Sequence, residues 1–574
     1  MSVQSHLSEL TGKAFANLGL PSELGEVLPS QRPELAQFQC NGAMAAARQA
    51  ARAPRDIAED VADALRRHSE LAKVEIAGPG FINIDLTDTA LAEWSTTTAV
   101  HDHLGYERKG GALRVLVDYA GPNVAKAMHV GHIRATIIGD SLARLFAFAG
   151  HDVIRDPHFG DWGFQMGLLI ATVEERGIDP STITLEDLQR IYPEATERAA
   201  GDEGFADRAR ETTVALQRGD EDALTVWRQM KSVSEASQRR DFAALGIEFD
   251  LWYGESDVAD RLNDLVDRLE EAGVAEISDG ALIVRVDEPG DNRDWAPLIL
   301  RSKAGGFLYS TTDVATLEMR IVDLEADLIL YVVDHRQADH FIQVFRTARK
   351  AGIVGEDVTV EHIGFGTMNG PDGKPFKTRE GGVVRLGDLI DMVKSAARER
   401  IDEAHIAEDY PDAERERIAR QVGVAALKFG DLINNRSSDY VFDLERFSSF
   451  EGKTGPYLQY GAVRTKSILR KASERGLAAG EIVAPSEDAE REVTIELLRF
   501  PEVIERSLDL RAPNHVAEYA FNVAGAWNRF LTEHHILSEE NAERRASWLA
   551  LAAWTAATLE TLLHLLGIEV PDRM

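Results

Sequence analysis

The chain has 574 residues, 44% of them hydrophobic, and carries a formal net charge of −33 at pH 7. This length exceeds what one hydrophobic core usually holds, so we expect three or four domains. The acidity argues weakly against a nucleic-acid partner, because phosphate contacts come from Lys and Arg, although local basic surface can still bind RNA. The single cysteine, Cys40, excludes an intramolecular disulfide and a cysteine-rich zinc site, and it favours a reducing cytoplasm.

The first part of the chain, residues 1 to about 105, combines a helical pattern at 56–68 with a strand-like segment at 80–86. These patterns predict a small α+β domain without a catalytic constellation. Its first twenty residues lack the charged start and the continuous apolar stretch of a signal peptide, so we do not expect export.

Residues 106–390 alternate apolar strand-like segments with helical patterns, which predicts an α/β doubly wound parallel sheet of the Rossmann-like type. Between its two halves, residues of about 170–295 are rich in charge and in helical period, most clearly at 208–245, and we interpret them as an insertion. The other predicted elements are strands 113–119, 152–155, 327–333 and 358–364, and helices 133–148 and 337–350.

From residue 391 to 574 the pattern is almost wholly helical, which predicts an all-α helical bundle. The most apolar tract, 548–566, is interrupted by Glu560 and His564 and has helical period. We therefore expect a buried helix there and not a membrane span. The predicted helices are 396–405, 413–429, 492–500, 516–531 and 544–566.

The most informative motif is His129-Val130-Gly131-His132, which lies between a predicted strand and a predicted helix. A helix N-terminus offers free N–H groups and the positive end of its dipole, histidines donate hydrogen bonds, and a glycine leaves room for a nucleotide. The motif therefore predicts a phosphate cradle for ATP. Taken alone, two helix-start histidines with local hydrogen bonds explain it about as well, so the neighbouring residues decide.

Those neighbours resemble the catalytic core of class I aminoacyl-tRNA synthetases, and specifically that of the arginyl-tRNA synthetase family. In this family the HIGH signature lies inside a longer pattern, P-N-x-A-K-x-x-H-x-G-H-x-R. Segments 158–163, 39–44 and 566–574 also resemble the family, so the likeness covers the whole chain. The chain matches the longer pattern at Pro122, Asn123, Ala125, Lys126, His129, Gly131, His132 and Arg134.

The resemblance implies that the chain activates L-arginine with ATP and transfers it to the 3′ end of tRNA(Arg), releasing AMP and diphosphate. It also implies that activation needs bound tRNA. Mg²⁺ would accompany ATP and be held largely by its phosphates, with no tightly bound protein metal. The family expectation is a cytoplasmic monomer without a membrane segment, whose N-terminal domain contacts the tRNA elbow and whose C-terminal domain contacts the anticodon stem and loop.

For the ATP phosphates, the resemblance implies contacts from His129 and His132, with Gly131 leaving the approach open. The usual second signature, K-M-S-K-S, is absent, and G-K-P-F-K-T-R-E-G-G at 373–382 resembles the degenerate version of many family members. Lys126 would then supply the missing charge. A basic surface loop is the alternative for 373–382. The loop residues expected to close over the triphosphate are Lys374, Lys377 and Arg379.

Selecting a guanidinium requires carboxylates and an aromatic group that bounds its plane. Asp118, Tyr309 and Asp313 match the family's arginine pocket, and Asn123 and Gln337 match residues that hold the amino-acid backbone. Tyr309 and Asp313 share a face if their segment is helical; otherwise Asp313 is a helix cap and Tyr309 a core residue. We expect Asp118 and Asp313 to be unpaired without a cationic ligand, which argues against a synthetase for a neutral amino acid.

Two departures from the family pattern leave the local contacts open. Gly121 stands where many members have serine, and Phe164-Gln165-Met166 stands where Thr-Gln-Phe is commoner. A non-catalytic tRNA-binding paralogue is the alternative from another class. It would be expected to lose the two histidines or the lysine of the HIGH region, and none is lost.

In the C-terminal domain, aromatic and basic side chains are expected to stack on unpaired nucleotides and to neutralise their phosphates. For the tyrosines among them, a core position is the leading alternative. The candidates are Tyr457, Gln459, Tyr460 and Arg464.

Overall fold

The computed structural model describes residues 2–30, 32, 34–303, 305–370, 372–374, 384–405 and 408–574. The chain divides into two compact units. The predicted domain boundaries after residues 105 and 390 stay predictions, because the units divide the chain differently. The first unit contains Met1–Lys109, Phe450–His564 and Val570–Met574, and the second contains Gly110–Ser449 and Leu565–Glu569.

The N-terminal part of the first unit is an antiparallel sheet with helices, in agreement with the predicted α+β domain. Its strands lie in the order β1-β2-β4-β3. Helix α3 begins at a proline, whose missing N–H is not needed in the first turn, and buries Ile57, Val61 and Leu65 along one face. The elements are α1 Val3–Asn17, β1 Val27–Pro29, β2 Phe38–Cys40, α2 Gly42–Ala50, α3 Pro54–Leu65, β3 Leu71–Ala77, β4 Phe81–Leu86 and α4 Asp88–Ala99.

The second unit is built on a four-stranded parallel sheet. The parallel strands alternate with helices, as the sequence predicted. The elements are β5 Arg114–Tyr119, α5 Val130–Phe148, β6 Asp152–Asp156, α6 Phe164–Glu175, α7 Leu185–Gly201, α8 Glu203–Gln217, α9 Glu221–Ala244, α10 Leu262–Glu271, β7 Glu276–Ser278, β8 Ala281–Val284, β9 Leu298–Arg301, α11 Tyr309–Val322, β10 Leu328–Val332, α12 Ala338–Lys350, β11 Thr359–His362, β12 Met368–Asn369, α13 Leu386–Glu403, α14 Asp412–Leu432, β13 Tyr440–Val441 and α15 Leu444–Phe447.

The order of the parallel strands is β11-β10-β5-β6, and β10 is buried along its length, which explains its continuous apolar sequence. In the register of the sheet, Tyr331 lies opposite Asp118, and Asp118 lies opposite Asp156. The carboxyl ends of parallel strands share one edge, so these polar residues meet there. Ligands of open α/β sheets bind at this edge.

The predicted insertion contains more than helices. The helical pattern over 208–245 corresponds to two helices, α8 and α9, which are separated at Gly219 with a φ of +84°. A small antiparallel sheet, β7-β8-β9, was missed because its strands have only three or four residues. Its first hairpin turns through Asp279 and Gly280, both with positive φ, the Asp-Gly turn that favours a tight hairpin.

The C-terminal helices that follow residue 450 belong to the first unit, where α17 contacts helix α4 of the N-terminal part. Arg491 of α17 pairs with Asp88 of α4 at 3.0 Å. By length and composition α20 could cross a membrane, but 67% of its apolar window is buried in the protein, as for a core helix. These helices are α16 Gly455–Glu474, α17 Asp488–Leu498, α18 Phe500–Asp509, α19 Asn514–Glu533 and α20 Ala542–Leu565.

Candidate active site

Helix α5 begins with two histidines that cap its first turn. Nδ1 of His129 accepts a hydrogen bond from the N–H of Gly131 at 3.0 Å, and Nδ1 of His132 accepts one from the N–H of His129 at 3.1 Å. The two ring centroids are 4.1 Å apart. Since both Nδ1 atoms are acceptors, each neutral ring carries its proton on Nε2 and offers that N–H to a ligand.

Burial favours the neutral form of both imidazoles. Burial lowers the pKa of His132 to about 4, and the neighbouring His129 ring acts in the same direction. Burial also lowers the pKa of His129, and the charge of Lys126 lowers it further. The first turn of α5 contains no acidic residue, so the positive end of the helix dipole is not cancelled there. This helix start therefore suits an anion that accepts hydrogen bonds.

Gly131 is required by the position of the His129 ring. A Cβ atom at residue 131 would lie 2.8 Å from Cε1 of His129, closer than carbon atoms approach in proteins. The glycine itself is exposed. Its place in the motif thus lets the capping imidazole fold back over the helix start.

A cavity of about 790 Å³ brings together residues from distant parts of the second unit. Asn123 and Lys126 come from the loop between β5 and α5, Tyr309 begins α11, and Gln337 is the N-cap of α12. Gln165 at the start of α6 also lines this cavity. The cavity thereby brings together side chains that are more than 200 residues apart in the chain, such as Asn123 and Gln337.

Glu255 is a lining carboxylate that the sequence analysis missed. Burial raises the pKa of Glu255 to about 7, and the nearby carboxylate of Asp313 adds to the effect. Its Oε2 accepts a hydrogen bond from the N–H of Trp162 at 3.2 Å. Its position in a charge-rich insertion, among many other acidic residues, gave no local signal that could have distinguished it. A partly buried carboxylate at the cavity wall suits a cationic ligand.

Tyr309 and Asp313 are both in helix α11, so their i, i+4 spacing does place them on one face. Asp313 is not the helix cap, because Leu308 is the N-cap of α11, and Tyr309 is not a core residue, because it is 61% exposed. Oδ2 of Asp313 lies 2.6 Å from Nε2 of His340, whose ring is 4.9 Å from that of Tyr309. The expectation that Asp313 is unpaired without a ligand is wrong, since His340 already pairs it.

Asp118 is also paired within the protein. Nη2 of Arg320 lies 2.7 Å from Oδ2 of Asp118 and 2.7 Å from Oδ2 of Asp156. Burial raises the pKa of Asp118, and the charge of Arg320 opposes the shift. The expectation that Asp118 is unpaired without a cationic ligand is therefore wrong, because the fully buried guanidinium of Arg320 already pairs with its carboxylate. A contact between Asp118 and the substrate L-arginine stays a prediction. It requires the Asp118 carboxylate to pair with Arg320 and with the substrate at the same time.

Part of the predicted basic loop lies outside the described residues, including Lys377 and Arg379. Lys374 is described and is exposed. The chain after the loop pairs with the HIGH region: Val130 donates its N–H to the carbonyl oxygen of Val384 at 3.0 Å. The N–H of Leu386 donates to the carbonyl oxygen of Met128 at 2.9 Å. Val384 and Leu386, which follow this loop in the chain, are thus fixed to the start of α5.

The predicted RNA contacts of α16 separate into two groups. Tyr460 is 42% exposed, and Arg464 is exposed one turn later on the same face. Gln459 is fully buried, so its direct contact with RNA is wrong for this conformation. Tyr457 is partly buried, and its hydroxyl accepts a hydrogen bond from Nδ2 of Asn528 at 2.8 Å. Of the four candidates, Tyr460 and Arg464 are therefore the exposed pair that can contact RNA.

Three family models match successive parts of the chain. They are "tRNA synthetases class I (R), catalytic domain" over residues 96–444, "DALR anticodon binding domain" over 458–574, and "Arginyl tRNA synthetase N terminal domain" over 2–86. The catalytic match contains the parallel sheet and the histidine pair at α5. The fold and the site thus define a class I aminoacyl-tRNA synthetase.

The full-length relatives identify the family within that class. The arginine–tRNA ligase of Maricaulis maris is 47% identical and that of Hyphomonas neptunium 45%, each over 100% of both chains. The chain belongs to the arginine–tRNA ligase family. Its fold is similar to the arginyl-tRNA synthetase structure of Thermus thermophilus, with a TM-score of 0.82 at 24% identity over 100% of both chains.

Proposed function

We infer that the protein is an arginine–tRNA ligase, which joins L-arginine to tRNA(Arg) at the expense of ATP. In the first step the carboxylate of arginine attacks the α-phosphorus of ATP, diphosphate leaves, and arginyl-adenylate forms. In the second step a hydroxyl of the terminal ribose of tRNA attacks the arginyl carbonyl carbon, and AMP leaves. The observation that carries the proposal is the histidine pair at the start of α5, preceded by a loop whose Asn123 and Lys126 line the cavity that also contains Glu255.

The ATP phosphates would bind at the start of α5. His129 and His132 would donate Nε2–H hydrogen bonds to phosphate oxygens, and Lys126 would neutralise charge that develops as diphosphate leaves. Lys374, with Lys377 and Arg379 beyond it, would close over the triphosphate from the other side. Mg²⁺ would enter with ATP as part of the substrate.

Arginine would lie in the cavity with its guanidinium near Glu255 and Asp313. The guanidinium carries five N–H donors, so it can pair with more than one carboxylate at once. Tyr309 would bound its plane, while Asn123 and Gln337 would hold the amino-acid backbone. Arginine binding would favour the ionised form of Glu255, because the permanent positive charge of the guanidinium would offset the repulsion between the carboxylates of Glu255 and Asp313.

The tRNA would contact α16 through Tyr460 and Arg464, an aromatic and a basic side chain on one exposed face. Such a pair suits a base and its phosphate. We propose that bound tRNA is needed for arginine activation, and that the protein acts as a cytoplasmic monomer. These parts of the proposal rest on the family resemblance.

Pyrophosphate exchange tests the reaction. Exchange should require arginine among the twenty amino acids and should increase strongly when tRNA is added. Absence of arginine-dependent exchange in both cases would overturn the function, whereas strong exchange without tRNA would overturn only the coupling. The variant Asp313→Asn should raise the KM for arginine far more than the KM for ATP, and equal losses would show that the pocket is misplaced.

A further inference from the structure

The inserted helices hold the loop that carries Lys126. Oγ of Ser234 on α9 accepts a hydrogen bond from the N–H of Ala125 at 2.9 Å, and Nε2 of Gln238 donates one to the carbonyl oxygen of Asn123 at 3.2 Å. Ser234 and Gln238 are both buried. The loop between β5 and α5 therefore takes its shape partly from a segment that is remote in sequence.

This support matters because the loop adopts an unusual backbone conformation. Ala125 has a φ of +67°, in the left-handed region that residues with a Cβ rarely occupy. Ala125 is fully buried in an apolar cluster with Val124, and Leu188 and Ile191 of α7 belong to the same cluster. The inserted helices thus hold this loop in a strained backbone conformation through several contacts, as is common where side chains are positioned for function.

The same helix α7 places an aromatic ring beneath the lysine. Nζ of Lys126 lies 4.7 Å from the centroid of the Tyr192 ring, within the range of a cation–π interaction. Both residues line the cavity. A lysine ammonium on four rotatable bonds has many rotamers, and the face of a ring restricts them.

We propose that Tyr192 is a positioning residue for the reaction, which holds the ammonium of Lys126 where it meets the ATP phosphates. The proposal rests on the phosphate role given to Lys126 above. It makes the inserted segment part of the ATP site, although none of its residues belongs to the HIGH region. Tyr192 would act through Lys126 and would not itself touch the reacting atoms.

Two substitutions of the full-length protein separate the ring face from the phenol hydroxyl. Tyr192→Phe keeps the ring and should leave the KM for ATP and kcat within about twofold of the unchanged protein. Tyr192→Leu removes the ring and should lower kcat/KM for ATP by about three- to tenfold, with the KM for arginine unchanged. Equal losses in both variants, or no loss in Tyr192→Leu, would overturn the proposal.

A double-mutant cycle tests whether Tyr192 acts through Lys126. In the background of Lys126→Met, adding Tyr192→Leu should cause no further loss. An undiminished further loss would overturn the proposal, because the ring would then act on the ligand or on the fold. Calorimetric titration with ATP on the same four proteins gives a readout that does not depend on arginine. It distinguishes a failure of this proposal from a failure of the proposed amino-acid substrate.

Discussion

Arg134 of helix α5 and Asp431 of helix α14 form an ion pair with an N–O distance of 3.0 Å, and both side chains are almost completely buried. Arg134 also donates a hydrogen bond from Nη1 to the carbonyl oxygen of Ser438 at 2.9 Å, and its guanidinium lies 4.9 Å from the ring of Tyr440. Arg134 follows His132 by two residues. The helix that carries the histidine pair is thereby anchored to the segment that contains β13.

Asp431→Asn should destabilise the protein by about 3–5 kcal/mol, because it leaves the buried charge of Arg134 without a counterion. A thermal unfolding curve of the full-length protein measures the effect. The matched control is Asp63→Asn, which breaks the exposed pair between Asp63 and Arg66 and should change stability by less than about 1 kcal/mol. Similar shifts in both variants would contradict the structural role of the buried pair.

Glu255→Gln should raise the KM for arginine about 10- to 100-fold, since a charge-assisted hydrogen bond to the guanidinium is lost. The KM for ATP should change little, because the phosphates are proposed to bind at α5. Steady-state exchange kinetics with each substrate varied in turn provide the measurement. Glu186→Gln, at an exposed position of α7, is the control and should behave like the unchanged protein. A parallel rise in both KM values would place Glu255 outside the arginine pocket.

The KM for arginine should increase roughly tenfold when the pH falls from 8 to 6, because Glu255 has a pKa of about 7. The raised pKa leaves this carboxyl protonated at the lower pH, whereas the guanidinium binds the ionised form, so affinity falls as protons are added. The KM for ATP should change much less, because the lowered pKa of His132, about 4, keeps that ring neutral over this range, and burial disfavours protonation of His129. Glu255→Gln should abolish the pH dependence, and its persistence would assign the titration to another group.

Gly131→Ala should lower kcat/KM for ATP by about 10- to 100-fold, because the new Cβ displaces the His129 ring and with it a phosphate donor. Gly525→Ala is the control: it lies within α19, where a Cβ meets no atom within 4 Å, and should be neutral or slightly stabilising. Kinetics and thermal unfolding of both variants give the comparison. Unchanged ATP kinetics in Gly131→Ala would show that the ring position is not needed.

Arg464→Gln should raise the KM for tRNA and reduce its salt dependence, because one phosphate contact is lost. The amino-acid and ATP kinetics should be unaffected. Aminoacylation at several salt concentrations measures both effects. The exposed Arg475, at the end of the same helix, supplies the control Arg475→Gln. An identical response of the two variants would indicate a general effect of charge and not a contact at Arg464.

Local periodicity predicted the elements that are long or strongly apolar. Strand β10 and helix α5 were predicted within a few residues of their bounds, because β10 is one continuous apolar run and α5 is a long, mostly buried helix. The strands β7 to β9 were missed, and the break between α8 and α9 at Gly219 was overlooked. Short strands give too few residues for a period, although the Asp279-Gly280 turn was a local signal that could have been used.

The sequence by itself determined the family, the alternation of strands and helices around the parallel sheet and the residues at the start of α5, because these depend on neighbours in the chain. Only the tertiary structure decided which charges were already paired. Arg320 lies more than 200 residues from Asp118, and Lys126 and Tyr192 are likewise brought together by folding. Burial and distance set the charge state of a side chain, and neither is encoded in local spacing. For that reason the raised pKa of Glu255 and the occupied carboxylates of Asp118 and Asp313 emerged only from the fold.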